Sequence, residues 1–192
     1  MASNPISKLT EEQYLALDRA AKSRSEFVHG EMFAMAGASM SHLRLQQNLA
    51  GELHVSLRGT RCEAFGSDCR IRVSREAYVY ADVSAACGPV MADEHDDILT
   101  NPVAIFEVIS PSTEKYDRGL KFQLYRTIDS LKEYILVNQE QARIERYTRQ
   151  PDGTWSLHDY VGADAELKID SIGVAIPLRR IYERVNIPPP TD

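Results

Sequence analysis

The sequence predicts a single α+β (mixed α/β) domain, a mixed central sheet flanked by helices, and three observations carry that reading. Leu45, Leu49, Leu53 and Leu57 recur every four positions and stop at Gly59, which is one face of a helix. Short runs with strand character then follow one another: "CEAFG", "CRIRVS", "YVYADVSAACG" and "VAIFEVI". No boundary divides the 192 residues, a length that suits one domain.

Taken in order, "LTEEQYLALDRAA" opens a helix, with Thr10 as N-cap and Gln13 three residues on, a capping box. "SEFVHGEMFAMAG" is a hairpin whose strands meet at His29-Gly30. "SMSHLRLQQNLAGELHVSLRG" is the amphipathic helix of the leucine repeat, and the strand series comes next. Within it, "GPVMADEHDDILTNP" is polar and acidic and is expected as a surface loop. "EKYDRGLKFQLYRTI" is a helix entered near Tyr116 or Asp117. "EYILVN", "ARIERYTRQ" and "TWSLHDYV" are strands, with "PDG" turning between the last two. "VAIPLRRIYERV" is expected as a short terminal helix, and "NIPPPTD" as an extended or disordered tail.

Apolar content of 43% and charged content of 26% are those of an ordinary globular chain. No apolar run approaches the roughly 18–20 residues that span a bilayer. "MASNPISKLTEEQ" has no apolar signal core, so a soluble, cytoplasmic protein is expected, with no membrane partner. Cys62, Cys69 and Cys87 show no CxxC spacing. Neither a disulfide framework nor a zinc site is expected from them, only small apolar packing. The net charge of −6 argues against broad nucleic-acid binding through a basic surface. It leaves room for a local groove, or for metal ions that offset the acids.

Two acids stand where strands call for apolar residues. Glu107 interrupts "VAIFEVI", and Asp82 interrupts "YVYADVSAAC". An unpaired buried carboxylate costs several kcal/mol, on the order of the desolvation penalty of an ion. Glu107 therefore either pairs with a buried cation or belongs to a site; Asp82 is either a strand-edge acid or a ligand. If the two strands are neighbours and share a face, the carboxylates converge and repel unless a cation lies between them. Oxygen ligands of this kind suit magnesium or manganese. Lys121, on the following helix, is either an ordinary helix-face lysine or reaches the same place, where it would orient a nucleophile or meet developing phosphate charge.

Other residues have simpler readings beside functional ones. Glu26 pairs with Arg24, caps a strand or joins the site. His42 stands at N3 of its helix if Ser39 is the N-cap, which favours capping or packing over substrate contact. Asp117 caps the Lys121 helix or supports the site. Ser110, Ser112 and Thr113 flank Pro111 and shape a turn, or touch a phosphate. Asp68 reads as a turn residue, and "ADEHDD" as a solvated loop rather than a metal cluster. The Tyr and Arg residues of "ARIERYTRQ" read as a solvated sheet face or a surface for a nucleic-acid backbone. No P-loop or GxGxxG is present.

At "EFVHGEMFAMAGAS", His42 in "SMSHLRLQQNL", "GSDCRIRV", "YADVSAACG", "FEVISPSTEKYDRGLKFQLYR" and "LKEYILVNQ", the chain resembles a known group. This is the Uma-type restriction-endonuclease-like family of the PD-(D/E)XK nuclease superfamily. The resemblance runs from about residue 9 to 185, leaving 186–192 as tail. It implies a restriction-endonuclease-like core with an N-terminal helix and hairpin, and metal-dependent hydrolysis of phosphodiester bonds in DNA, as an endonuclease. It maps the motif acids onto Asp82 and Glu107, which with the Val108 backbone carbonyl would hold Mg2+ or Mn2+. Ile109 stands where the motif lysine usually lies, and the lysine moves to the following helix as Lys121. Ala81 replaces the usual motif proline, and His29 replaces an acid often found in its turn. Glu26, and less so Glu31, would complete the site; His42 and Asp117 would support it. The same scaffold without activity would bind nucleic acid or a protein partner instead. A homodimer follows from cutting both strands of a duplex.

Overall fold

The computed structural model describes residues 8–35, 37–91, 93 and 95–187. The polar N-terminal stretch 1–7 and the end of the tail, 188–192, lie outside the described residues. So do Ala92 and Glu94 of the acidic run.

Helix α1 (Glu11–Ala20) starts in the expected capping box: Thr10 accepts from the Gln13 N–H, and Gln13 Oε1 accepts from the Thr10 N–H at 2.9 Å. Strands β1 (Ser25–Val28) and β2 (Glu31–Ala34) form the hairpin. Its turn places His29 at φ 51° and Gly30 at φ 90°, both left-handed, the requirement of a tight two-residue hairpin turn. Helix α2 (Met40–Ser56) is capped by Ser39 Oγ, which accepts from the His42 N–H at 3.1 Å. Leu45, Leu49 and Leu53 are fully buried, each such burial stabilising by roughly 1.5–3 kcal/mol.

The strands sort into two large sheets and one small one. A five-stranded sheet has the order β2-β1-β5-β4-β7, with β4 (Arg70–Ser74), β5 (Ala77–Tyr80) and β7 (Ile98–Leu99). A six-stranded sheet has the order β11-β10-β9-β8-β6-β3. Its members are β3 (Cys62–Gly66), β6 (Val83–Cys87), β8 (Pro102–Ile109), β9 (Glu133–Asn138), β10 (Arg143–Arg149) and β11 (Trp155–Val161). Both sheets are mixed: β4–β7 and β8–β9 are parallel, the other pairs antiparallel. Strands β12 (Glu166–Ile169) and β13 (Val174–Pro177) form the third sheet.

Strand β8 is buried on both faces, which is why it reads as a continuous apolar run. Ala104, Phe106 and Val108 face α2 and the β12–β13 pair in one core; Ile105 and Ile109 join Ile71 and Val79 of the five-stranded sheet in another. By the same period of two, Glu107 points to the second core. A third, smaller core of Tyr14, Phe27, Tyr78 and Ile98 lies under α1.

Four expectations need correction. "YVYADVSAACG" is not one strand: it breaks at Ala81-Asp82, and β5 and β6 belong to different sheets. The acidic segment is not simply a solvated loop. It contributes β7, and Arg19 binds Asp93 and Asp97 at 2.8 Å each. Buried Arg70 also takes Asp97, because a guanidinium under a sheet needs acids within reach. "VAIP" is strand β13, and only α5 (Leu178–Ile181) after it is helical. Finally, Cys62 and Cys87 form a disulfide. They are direct partners in the β3–β6 ladder, a juxtaposition that a separation of 25 residues does not announce. Cys69 is the free thiol. Among the described residues no helix is long and apolar enough to cross a membrane.

Candidate active site

The β6–β8 ladder pairs Val83 with Phe106, Ser84 with Ile105 and Ala85 with Ala104. The same antiparallel register, carried one step beyond Val83, sets Asp82 opposite Glu107. Asp82 sits where the chain leaves one sheet for the other, so no backbone partner continues the ladder there. Its side chain takes over: Oδ2 accepts from the Val108 N–H at 2.7 Å. In antiparallel pairing the N–H and C=O of one residue face the same neighbour, so the Val108 carbonyl lies on the Asp82 side. Asp82 Oδ1 meets His42 Nε2 at 2.8 Å and accepts from Gln46 at 3.4 Å. His42 and Gln46 are four apart on α2, and the helix presents both to the same acid.

Glu107 is 3% exposed. Its Oε1 accepts from Lys121 Nζ at 2.9 Å and from the Tyr125 hydroxyl at 2.8 Å. Lys121 Nζ also donates to the Tyr80 carbonyl at 2.9 Å, and lies 3.3 Å from Glu26 and 3.9 Å from Asp117. Glu26 in turn accepts from the Tyr116 hydroxyl at 2.7 Å and the Tyr80 N–H at 3.3 Å.

The lysine reaches this place through an irregular helix. Helix α3 (Glu114–Tyr116) runs into a π-helical turn (Asp117–Lys121) and then α4 (Phe122–Tyr125). The helix therefore begins before Tyr116, and Asp117 is an interior residue, buried beside Lys121, rather than a cap. A π turn widens the helix by one residue and is enriched at functional sites. The turn before it is shaped as expected by hydroxyls: Ser110 Oγ meets Ser112 Oγ at 2.9 Å, and Thr113 Oγ1 accepts from the Ser110 N–H at 3.2 Å.

The cluster carries more acid than base. Glu26, Glu107 and Asp117 surround one ammonium, and Asp82 lies close enough to act on Glu107. Burial pushes the Glu107 carboxyl well up; Asp117 and Asp82 push the same way and Lys121 opposes them. Burial likewise raises Asp117, again against Lys121. For Lys121, burial pulls down, but Glu107, Glu26 and Asp117 outweigh it and hold the ammonium above its usual range. The three acids thus favour the charged lysine, while burial disfavours charge on Glu107 and Asp117.

Among the described residues no three His, Cys, Asp or Glu side chains are arranged to hold a metal ion. Magnesium, however, is commonly held by one or two carboxylates and completed by water. Two adjacent hard oxygen donors, a strand carbonyl beside them and an acid surplus fit such an ion.

The sequence-derived residues Asp82, Glu107, Lys121 and Glu26 thus fall together, with Asp117 and His42 in direct contact with them. Glu31 stands on the exposed edge strand β2 opposite Val28, whereas the acids around Lys121 are Glu26, Glu107 and Asp117. Asp68 is a turn residue 3.9 Å from Arg24. Tyr116, Tyr125, Gln46 and the Tyr80 backbone had no place in the sequence reading. Helical spacing to Lys121 and His42 was the available signal for Tyr125 and Gln46.

A family model described as "Uma2: Putative restriction endonuclease" matches residues 11–179. "Uncharacterized protein slr1290" of Synechocystis sp. is 35% identical over 181 residues, covering 94% of each chain. "Uncharacterized protein sll1609" of the same organism is 38% identical over 162 residues, 83% of this chain and 92% of the relative. The fold also matches the crystal structure of a "putative nuclease belonging to DUF820" from Anabaena variabilis. The TM-score is 0.73 at 14% identity, over 91% of this chain and 97% of that one. With most of its length matched by the family model and by two relatives above 30% identity, this chain belongs to the Uma2 family.

Proposed function

We propose that the chain is a metal-dependent nuclease that hydrolyses phosphodiester bonds of DNA, as an endonuclease. One observation carries this: a single buried ammonium held between Glu107 and Glu26, beside an aspartate at the break between β5 and β6 that binds the strand of Glu107. Asp82, Glu107 and the Val108 carbonyl would hold Mg2+ or Mn2+. Such an ion supplies a more acidic bound water and polarises the scissile phosphate.

The chain's own groups do the rest. Lys121 keeps its proton and therefore acts as a donor and a positive charge, not as a base; it orients the attacking oxygen and meets the charge that grows on the phosphate. Glu26 restrains the ammonium from the other side. His42 and Gln46 hold Asp82 in one rotamer, and Asp117 flanks the ammonium at 3.9 Å. The family description and the shared fold support the nuclease class. The acidic net charge confines substrate contact to a local surface. Two copies of the chain acting together would cut both strands, and gel filtration tests that assembly.

The test is a thermal shift titration with magnesium alone. A ligand that binds only the folded state stabilises it by about RT ln(1 + [L]/Kd). The expected result is a rise in melting temperature that Asp82→Ala abolishes, together with plasmid cleavage by the parent and none by Glu107→Ala. A second reading, a nuclease-fold protein that only binds nucleic acid or a protein, is favoured by one fact. Both Asp82 oxygens and Glu107 Oε1 are engaged in hydrogen bonds within the protein. DNA retention without cleavage and without a magnesium shift would establish that reading and overturn the first.

A further inference from the structure

The two glutamates on either side of Lys121 each carry a tyrosine. Tyr125 donates to Glu107 Oε1 at 2.8 Å, the same oxygen that takes Lys121 at 2.9 Å. Tyr116 donates to Glu26 Oε2 at 2.7 Å, while Lys121 lies 3.3 Å from Glu26 Oε1. Both tyrosines come from the segment that supplies the lysine. Tyr116 precedes Lys121 by five residues, across the π turn; Tyr125 follows it by four, across an α turn. One turn of each kind brings all three side chains to one face of the helix. A regular helix would carry Tyr116 about 100° further round per residue of mismatch and lose one contact. The Lys121 ammonium lies 5.9 Å from the Tyr116 ring centroid, so that ring also walls the pocket.

We infer that Tyr116 and Tyr125 are positioning residues, a pair of phenol clamps that fix Glu26 and Glu107 around Lys121 and thereby set which Glu107 oxygen a cation can use. Lys121 and Tyr125 together occupy Oε1. A carboxylate with two hydrogen-bond donors on one oxygen is restrained in rotation, and its second oxygen would be the one left to a cation held with Asp82. Tyr125 is fully buried, and its hydroxyl donates to Glu107 at 2.8 Å. Outer hydrogen bonds to ligating carboxylates commonly tune metal affinity or activity by 10- to 100-fold. This inference rests on the proposed function for its magnesium arm, but not for its structural arm.

The experiment compares the parent with Tyr125→Phe, Tyr116→Phe and Tyr182→Phe. The last removes a buried hydroxyl that bonds the Asn138 and Arg143 carbonyls, outside the cluster. Phenylalanine keeps the ring and deletes only the clamp. Crystal structures without added metal are expected to show the Glu107 carboxylate turned from its parent pose in Tyr125→Phe, and unmoved in Tyr182→Phe. In magnesium thermal shift titrations, Tyr125→Phe is expected to raise the half-saturating concentration by about tenfold and Tyr116→Phe by a smaller factor, with Tyr182→Phe at the parental value. An unmoved Glu107 in Tyr125→Phe overturns the clamp, whatever magnesium does. A parent that responds to magnesium with the same midpoint as Tyr125→Phe also overturns it, while leaving the proposed function standing. A parent with no magnesium response overturns the proposed function, and the crystal structures still decide the clamp.

Discussion

Two buried ionic clusters lie on either side of Tyr80, and they are built on opposite principles. The Tyr80 hydroxyl donates to Asp18 at 2.6 Å; its backbone N–H and C=O serve Glu26 and Lys121. On the Asp18 side, Arg70 binds Asp18 at 2.6 Å and Asp97 at 2.9 Å, and Arg19 binds Asp93 and Asp97. Asp18 also accepts the Ser25 N–H. Two guanidiniums nearly balance three acids, and of the cluster's buried side-chain nitrogens and oxygens Arg70 Nε alone lacks a partner. That cluster ties α1 and the acidic segment to the five-stranded sheet. On the other side one ammonium faces three acids, with a fourth close by, and burial raises Glu107 and Asp117. Balanced charge holds a fold together; a surplus kept in place by the surrounding fold is what a cation-using site requires.

Removing the central cation of each cluster separates the two roles most sharply. Arg70→Met is expected to destabilise by about 3–5 kcal/mol, since it strands the buried Asp18 without its cation, while Asp97 keeps Arg19. Urea unfolding measures it, and a loss under about 1 kcal/mol would mean that the acids reach water. Lys121→Met is expected to cost less stability, because Glu107 and Asp117 already lean toward their neutral forms and take up protons. It should instead lower DNA cleavage by about 10²–10³-fold, the usual effect of losing one oriented donor at developing charge. Should the two substitutions change places, stability lost at Lys121 and cleavage at Arg70, the division between the clusters is wrong.

The unequal legibility of the two clusters has a physical reason. Glu107 and Asp82 were visible because each breaks a strand pattern; Lys121 alone reads as a helix-face lysine, and the family resemblance is what singled it out. The capping box, the hairpin turn and the leucine face were visible because each is local. The Arg70 cluster was not: "CRIRVS" gives no sign that Arg70 is 2% exposed, or that its partners come from α1 and from a loop that reads as solvated. The disulfide was missed for the same reason, since ladder register and not spacing joins Cys62 to Cys87. The π turn was invisible because "DRGLK" carries no helix-breaking signal beyond Gly119. The break at Asp82 was hidden because β5 and β6 are both buried and nearly continuous, so only a topological switch distinguishes them.

Acid and alkali should act on the two clusters in opposite directions. Hydrogen bonds from Arg19 first, and from Arg70, hold the Asp97 carboxyl below the usual carboxylate range. A depressed folded value means that its contribution is present above that range and is lost as pH falls through it. Glu107 and Asp117 are raised, so each favours the fold while protonated, and that contribution fades as pH climbs from the ordinary carboxylate range through the raised value. Melting temperature against pH, without metal, should therefore fall on both sides of a maximum. Asp97→Asn should flatten the acid limb alone, and Glu107→Gln the limb toward neutrality. An acid limb untouched by Asp97→Asn would place acid sensitivity elsewhere in the molecule.

The smallest expected effect falls on the acid that stands just outside this contrast. Glu31 and Glu26 belong to the same hairpin, and the family resemblance offered Glu26, and less so Glu31, as the acid that completes the site. The register separates them: Glu26 is opposite Phe33 and 6% exposed, while Glu31 is opposite Val28 on the exposed edge. Glu31→Gln removes a solvated charge, so stability should move by less than about 0.5 kcal/mol, with cleavage and the magnesium midpoint unchanged. Glu26→Gln keeps the shape but takes one acid from Lys121, which should lower cleavage while the fold holds. A Glu31→Gln variant that loses cleavage would bring the edge strand into the site, and the hairpin, not the sheet switch at Asp82, would then define the place where substrate lies.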